Sequence, residues 1–123
     1  MNFSIEEKDK YTLVTSNVEK LDTTCAPELK SELVYLNKTG VKNMIIDLSK
    51  TRYCDSSGLS ALLVANRLCK SVDGMFVLSG MQEPVLKLVQ ISQLESVLTI
   101  APTLSEGVDL LYMQVIEKDI NNE

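Results

Sequence analysis

Two short and almost continuous apolar segments constrain the fold of this chain more than any other feature. Met44–Leu48 and Met75–Ser79 are each flanked by polar or turn-forming residues, and a long helical pattern separates them. A run of this kind is typical of a strand that is buried on both faces, as in parallel sheets covered by helices. Because parallel neighbours need a long crossover, the segment between them fits a helix. The sequence therefore predicts an α/β fold.

The remaining segments extend this pattern in both directions. Residues 3–15 alternate apolar and polar side chains around a polar turn, which predicts a hairpin. Helical spacing of apolar residues follows, first after Pro27 and later after Pro84, and a last helix is predicted over Ser105–Lys118. We therefore expect a mixed sheet of four to five strands with about four helices packed on it. Residues 1–118 should form one domain, and residues 119–123 a flexible tail.

The charge balance argues against two classes of partner. The chain has 123 residues with 12 Lys and Arg against 17 Asp and Glu, a formal net charge of −5. Nucleic-acid binding depends on a basic surface that neutralises phosphates, and none is evident here. Anionic membrane surfaces are disfavoured for the same reason. Because the N-terminal segment is polar and no apolar run reaches membrane-span length, we expect a cytoplasmic protein.

The residue types present also argue against catalysis. Histidine is absent, which removes Ser-His and Cys-His nucleophile pairs and the commonest general base. The cysteines at positions 25, 54 and 69 are too far apart for a zinc knuckle and fit free thiols in a reducing compartment. The glycines are scattered and form no phosphate-binding loop. We therefore predict no metal, no cofactor and no enzymatic activity.

One segment, Asp55-Ser-Ser-Gly-Leu-Ser-Ala-Leu-Leu63, concentrates polar groups at the start of an apolar helix. Ser56 or Ser57 could cap the helix, Asp55 would favour the positive end of its dipole, and Gly58 would permit close packing. Capping alone needs only one of these groups. The helix also has more apolar side chains than one core-facing stripe requires, so it is either sandwiched between neighbours or open to a partner.

The strand MIIDLS followed by DSSGLSALL resembles the signature of the STAS domain, and more narrowly that of bacterial anti-sigma factor antagonists. The upstream Leu21-Asp22 pair, just before a helix, matches a second landmark of the family. The resemblance covers nearly the whole chain. It departs from the family at 17–20, where a glycine is common, and at 92–94, where the family often has Ser-Gly-Leu.

The resemblance implies a protein that switches between partners. In the family, the serine after the aspartate is phosphorylated by a serine kinase that is also the anti-sigma factor; here that residue is Ser56. The unphosphorylated form binds the kinase and releases the sigma factor, and a metal-dependent serine phosphatase resets the switch. Small relatives are usually monomers when free. The residues expected at the partner-binding surface are Asp22, Thr23, Asp55, Ser57, Gly58, Leu59 and Leu62.

A second interpretation stays open. STAS modules that are never phosphorylated dock constitutively in scaffolds and transport complexes, and a serine that caps a helix would look identical in sequence. Composition does not separate these two interpretations.

Overall fold

The computed structural model describes residues 1–121, which form a five-stranded mixed sheet, a small two-stranded sheet and four helices. The strands are β1 (Phe3–Glu7), β2 (Thr12–Ser16), β3 (Lys20–Leu21), β4 (Met44–Asp47), β5 (Tyr53–Cys54), β6 (Phe76–Ser79) and β7 (Thr99–Ala101). The helices are α1 (Ala26–Lys38), α2 (Ser56–Ser71), α3 (Glu83–Ile91) and α4 (Leu104–Asn121). The predicted fold class is confirmed.

The central sheet has the strand order β1-β2-β4-β6-β7. The β1–β2 hairpin is antiparallel and the other pairings are parallel. Its register aligns one row of apolar side chains on each face: Val14, Ile46 and Leu78 on one face, and Leu13, Ile45 and Val77 on the other. Strands β4 and β6 are therefore buried on both faces, which explains their continuous apolar sequences.

The two faces of the sheet are covered unequally. Helices α1, α2 and α3 contribute Leu29, Leu62 and Val85 to the larger core, on the face of Val14, Ile46 and Leu78. Helix α4 covers the opposite face, where Leu111 is fully buried among Leu13, Ile45 and Val77. Val108, Tyr112 and Val115, which lie at helical spacing around Leu111, also pack against this second core.

The structure corrects the sequence analysis at two places. The segment between β4 and Asp55, for which the sequence analysis predicted no strand, contains the short strand β5. The last helix continues to Asn121, so residues 119–121 are helical where a tail was predicted. A long-range contact anchors its end, since Lys118 Nζ donates to the Asp73 carbonyl oxygen at 2.7 Å and lies 3.1 Å from Asp73 Oδ1. The predicted tail residues 122–123 lie outside the described residues.

A buried hydroxyl fixes the connector that leads to β5. Thr51 Oγ1 donates to the Val18 carbonyl oxygen at 2.8 Å and lies 2.7 Å from Ser16 Oγ. Ser16 and Thr51 have no exposed surface. Because buried polar groups are costly when unpaired, this pair holds residues 49–52 against β2.

We expect Thr51→Val to lower the free energy of unfolding by about 1–3 kcal/mol, since it leaves the Ser16 hydroxyl and the Val18 carbonyl without their partner. Thr51→Ser keeps the hydroxyl and should lose much less. Urea denaturation of both variants measures the difference. Equal stability of the two variants would show that the hydroxyl pair does not hold the connector.

Candidate functional site

The small β3–β5 sheet brings together two segments that are distant in sequence. The strands run parallel, with Lys20 opposite Tyr53 and Leu21 opposite Cys54. The Asp55 amide extends the pairing by donating to the Leu21 carbonyl oxygen at 3.2 Å. Each strand leads into a helix start, β3 into α1 and β5 into α2. The starts of α1 and α2 therefore lie side by side, and Asp22 and Asp55 follow neighbouring strands.

Gly58 permits the close approach of α2 to β3. A Cβ atom at this position would lie 2.3 Å from the Leu21 carbonyl oxygen and 2.7 Å from Cys54 Sγ, far inside normal contact distance. The predicted role of Gly58 in close packing is confirmed. The first turn of α2 and the Leu21-Asp22 segment consequently form one packed unit.

Asp55 caps α2. Its backbone is extended, with φ −107° and ψ −174°, and its Oδ1 atom accepts a hydrogen bond from the Gly58 amide at 3.0 Å. The prediction that Ser56 or Ser57 provides the cap is wrong, because both residues already lie inside the first helical turn. Ser56 is exposed and Ser57 is half-buried. The hydroxyl of Ser56 is therefore accessible and is not needed to start the helix.

Asp22 is held by the turn before α1. Its Oδ1 atom accepts hydrogen bonds from the Thr24 hydroxyl at 2.6 Å and from the Thr24 amide at 3.0 Å. These two bonds hold the pKa of Asp22 below its ordinary value, because they stabilise the charged form. The neighbouring Thr23 is exposed. Asp22 thus presents a fixed negative charge at neutral pH.

The two paired segments line a surface depression of about 460 Å³. It is lined by Lys20, Leu21, Asp22, Tyr53, Cys54 and Asp55. The Tyr53 side chain is 45% exposed, and the Arg52 guanidinium carbon lies 5.6 Å from the centre of its ring. The sequence analysis missed Tyr53, although an aromatic residue between a buried strand and a helix cap is a usable signal. The site therefore combines an apolar floor, an aromatic ring and two carboxylates.

The apolar residues predicted at the partner surface lie mainly beneath it. Leu62 has no exposed surface and Leu59 has only 7%. The prediction that Leu62 contacts a partner directly is therefore incompatible with this structure. The apolar excess of α2 arises because the helix is sandwiched between the sheet and α1, and its remaining large apolar side chains, Leu63, Val64 and Leu68, are half-buried.

The thiol in the depression is a poor nucleophile. Burial and the nearby charge of Asp55 raise the pKa of Cys54 to about 12, so it stays protonated at neutral pH. All three cysteines are free, and Cys25 and Cys69 are buried. Within residues 1–121, no three His, Cys, Asp or Glu side chains are grouped as a metal would require. No helix in that range is long and apolar enough to cross a membrane.

This arrangement defines a small α/β module whose accessible site lies at two adjacent helix starts. The sequence profile of the STAS domain matches residues 2–107. The chain belongs to the STAS domain family.

Two curated relatives carry the name anti-sigma-B factor antagonist. The Bacillus subtilis protein is 27% identical over 109 residues, covering 88% of this chain and 99% of the relative. The Listeria monocytogenes protein is 31% identical over 103 residues, covering 81% of this chain and 90% of the relative. The similarity thus extends over almost the full length of both relatives.

Solved structures show the same fold at lower identity. A putative anti-sigma factor antagonist from Thermotoga maritima superposes with a TM-score of 0.80 and 21% identity, covering 89% of this chain and 94% of that one. The Bacillus cell fate determinant SpoIIAA in its phosphorylated form superposes with a TM-score of 0.68 and 22% identity, covering 87% and 96%.

Proposed function

We propose that this protein is an anti-sigma factor antagonist that acts in the cytoplasm by partner switching. Its unphosphorylated form binds an anti-sigma serine kinase and so releases a sigma factor. Phosphorylation of Ser56 abolishes that binding, and a metal-dependent serine phosphatase restores it. The observation that carries the proposal is the position of Ser56: an exposed hydroxyl at the first residue of α2, free of the capping role.

The local electrostatics favour a switch that does not refold the protein. A phosphate on Ser56 would add about −1.5 to −2 charges, and the helix dipole stabilises it by only ~0.3–1 kcal/mol. The Asp55 carboxylate repels the phosphate and already accepts the hydrogen bond that the Gly58 amide donates. Because these effects oppose each other, phosphorylation should change the free energy of unfolding very little. The phosphorylated SpoIIAA structure supports this point, since that relative keeps the same fold with phosphate present.

The proposed partner surface has two layers. Asp22, Thr23, Asp55, Ser56 and Ser57 form the accessible layer that meets the kinase. Gly58, Leu59 and Leu62 lie beneath it and hold α2 in place. A partner that fits this layer closely would have to accommodate or desolvate a doubly charged phosphate, which is unfavourable by several kcal/mol.

Mass spectrometry of the protein purified from its own bacterium tests the proposal. We expect a phosphopeptide that contains Ser56 and that disappears in Ser56→Ala. The unmodified protein should retain the kinase in a pull-down. Phosphate on Ser57 or Ser60 instead would move the site, and complete absence of phosphate with the phosphatase removed would overturn the switch.

The second candidate is a constitutive docking subunit of a scaffold or transport complex. The preformed depression with its exposed Tyr53 favours it, because that surface is complete without any modification. In that case the protein would carry no phosphate and would retain the same partner under every growth condition.

A further inference from the structure

The outer side of α4 carries an apolar stripe that nothing in residues 1–121 covers. Met113, Ile116 and Ile120 follow one another at helical spacing, and each is more than half exposed. They lie on the opposite side of the helix from the buried Leu111. The match to the STAS domain ends at residue 107, so this α4 stripe lies beyond the part of the chain that defines the family.

A second exposed apolar patch lies on α1, on the other face of the sheet. Val34 and Tyr35 are 39% and 65% exposed. They line a shallow depression of about 410 Å³ together with Lys30, Ser31 and Lys38. Val34 and Tyr35 lie more than two helical turns after Ala26, the first residue of α1, and therefore apart from Asp22 and Thr23, which precede the helix.

The charged side chains that line the α1 depression are opposite in sign to those beside the α4 stripe. Exposed acidic side chains accompany the α4 stripe at Asp109, Glu117 and Asp119, and Lys118 is paired with Asp73. Two α4 stripes facing each other would therefore bring like charges together. The α1 patch instead offers Lys30 and Lys38 beside its apolar side chains. An α4 stripe consequently fits an α1 patch better than it fits another α4 stripe.

We propose that the α4 stripe of one copy docks on the α1 patch of a second copy of this chain. Because α1 and α4 cover opposite faces of the sheet, each docked copy keeps one unused patch. The contact is head-to-tail, so it propagates unless its rotation closes a ring. A few side chains on each side bury far less than the ~1,200–2,000 Å² of a stable interface. The dilute protein is therefore a monomer, and association appears on concentration.

Sedimentation velocity over a wide concentration range tests this proposal. We expect the mean mass of the wild-type protein to rise past that of a dimer, and to fall when salt is added. Ile116→Lys and Val34→Asp each place a like charge in the contact and should weaken association at least about tenfold. Tyr35→Asp, at a more exposed position, replaces Val34→Asp if that variant unfolds. Ile91→Lys, at an exposed position at the end of α3, is the matched control and should associate as the wild type does.

Mixing the two variants gives the decisive result. Ile116→Lys keeps a working α1 patch and Val34→Asp keeps a working α4 stripe, and the two introduced charges are opposite, so the mixture should regain the association that each variant alone has lost. A wild-type protein that stays monomeric at every concentration would overturn the proposal. So would Val34→Asp that still dimerises by itself, because that result would indicate a symmetric α4–α4 contact.

Discussion

Ser56→Glu is expected to weaken binding of the anti-sigma kinase by about 100-fold or more while leaving the fold intact. The new carboxylate lies at an exposed position beside the cap residue Asp55. The kinase must therefore either bury this charge or lose close contact with the surface. Removing a charge from water without pairing it is unfavourable by several kcal/mol. The same carboxylate lies in the first turn of α2, where the helix dipole tolerates it. We therefore expect the free energy of unfolding to change by less than about 1 kcal/mol.

Calorimetric titration of the kinase with three variants separates charge from position. Ser105→Glu is the matched control, because Ser105 is also an exposed serine in the first turn of a helix, on the opposite face of the sheet. It should bind as the wild type does, and so should Ser56→Ala. If Ser56→Glu binds as tightly as Ser56→Ala, the switch is wrong. If Ser105→Glu also loses binding, the effect is one of net charge.

Gly58→Ala is expected to destabilise the protein by about 3 kcal/mol and to disrupt the site as well. The added methyl group would meet the Leu21 backbone carbonyl, and a backbone atom cannot turn aside as a side chain can. Either α2 or β3 must move. Movement of β3 displaces Asp22, which follows it directly, so kinase binding should fall together with stability.

Gly107→Ala is the matched control for this substitution. Gly107 is also buried in the first turn of a helix, but a Cβ atom there would meet its nearest neighbours at 3.4 Å. Alanine removes the entropic disadvantage of glycine in a helix, which is worth roughly 0.5–1 kcal/mol. We expect Gly107→Ala to be neutral or slightly stabilising in thermal and urea unfolding. Equal behaviour of the two variants would refute the close contact between α2 and β3.

Sequence patterns predicted the longer helices and strands because burial gives their apolar residues a recognisable pattern. The runs at β4 and β6 are apolar on both faces, and the face of α4 toward the core follows helical spacing. The STAS resemblance rested on the order of strand, connector and helix start, which the structure confirms. These features depend on local sequence and on burial, and both can be inferred from a single chain.

The errors arose where distant residues decide the outcome. Strand β5 has only two residues and exists through its pairing with β3, so it has no period of its own. The end of α4 depends on the contact between Lys118 and Asp73, which are 45 residues apart. Leu62 was placed at the surface because a helix covered on two sides resembles one with an open apolar face. Each of these outcomes needs the three-dimensional neighbours of a residue.

The β3–β5 pairing has a consequence for newly made protein. Leu21 and Cys54 lie on either side of α1 and β4 in the chain, so they become neighbours only when the chain folds back between them. A nascent or denatured chain carries Ser56, but the Asp22 segment and the first turn of α2 are not packed beside this residue. Such a chain does not present the proposed partner surface. If the proposed function holds, only completely folded chains would bind the partner, and incomplete chains would not compete for it.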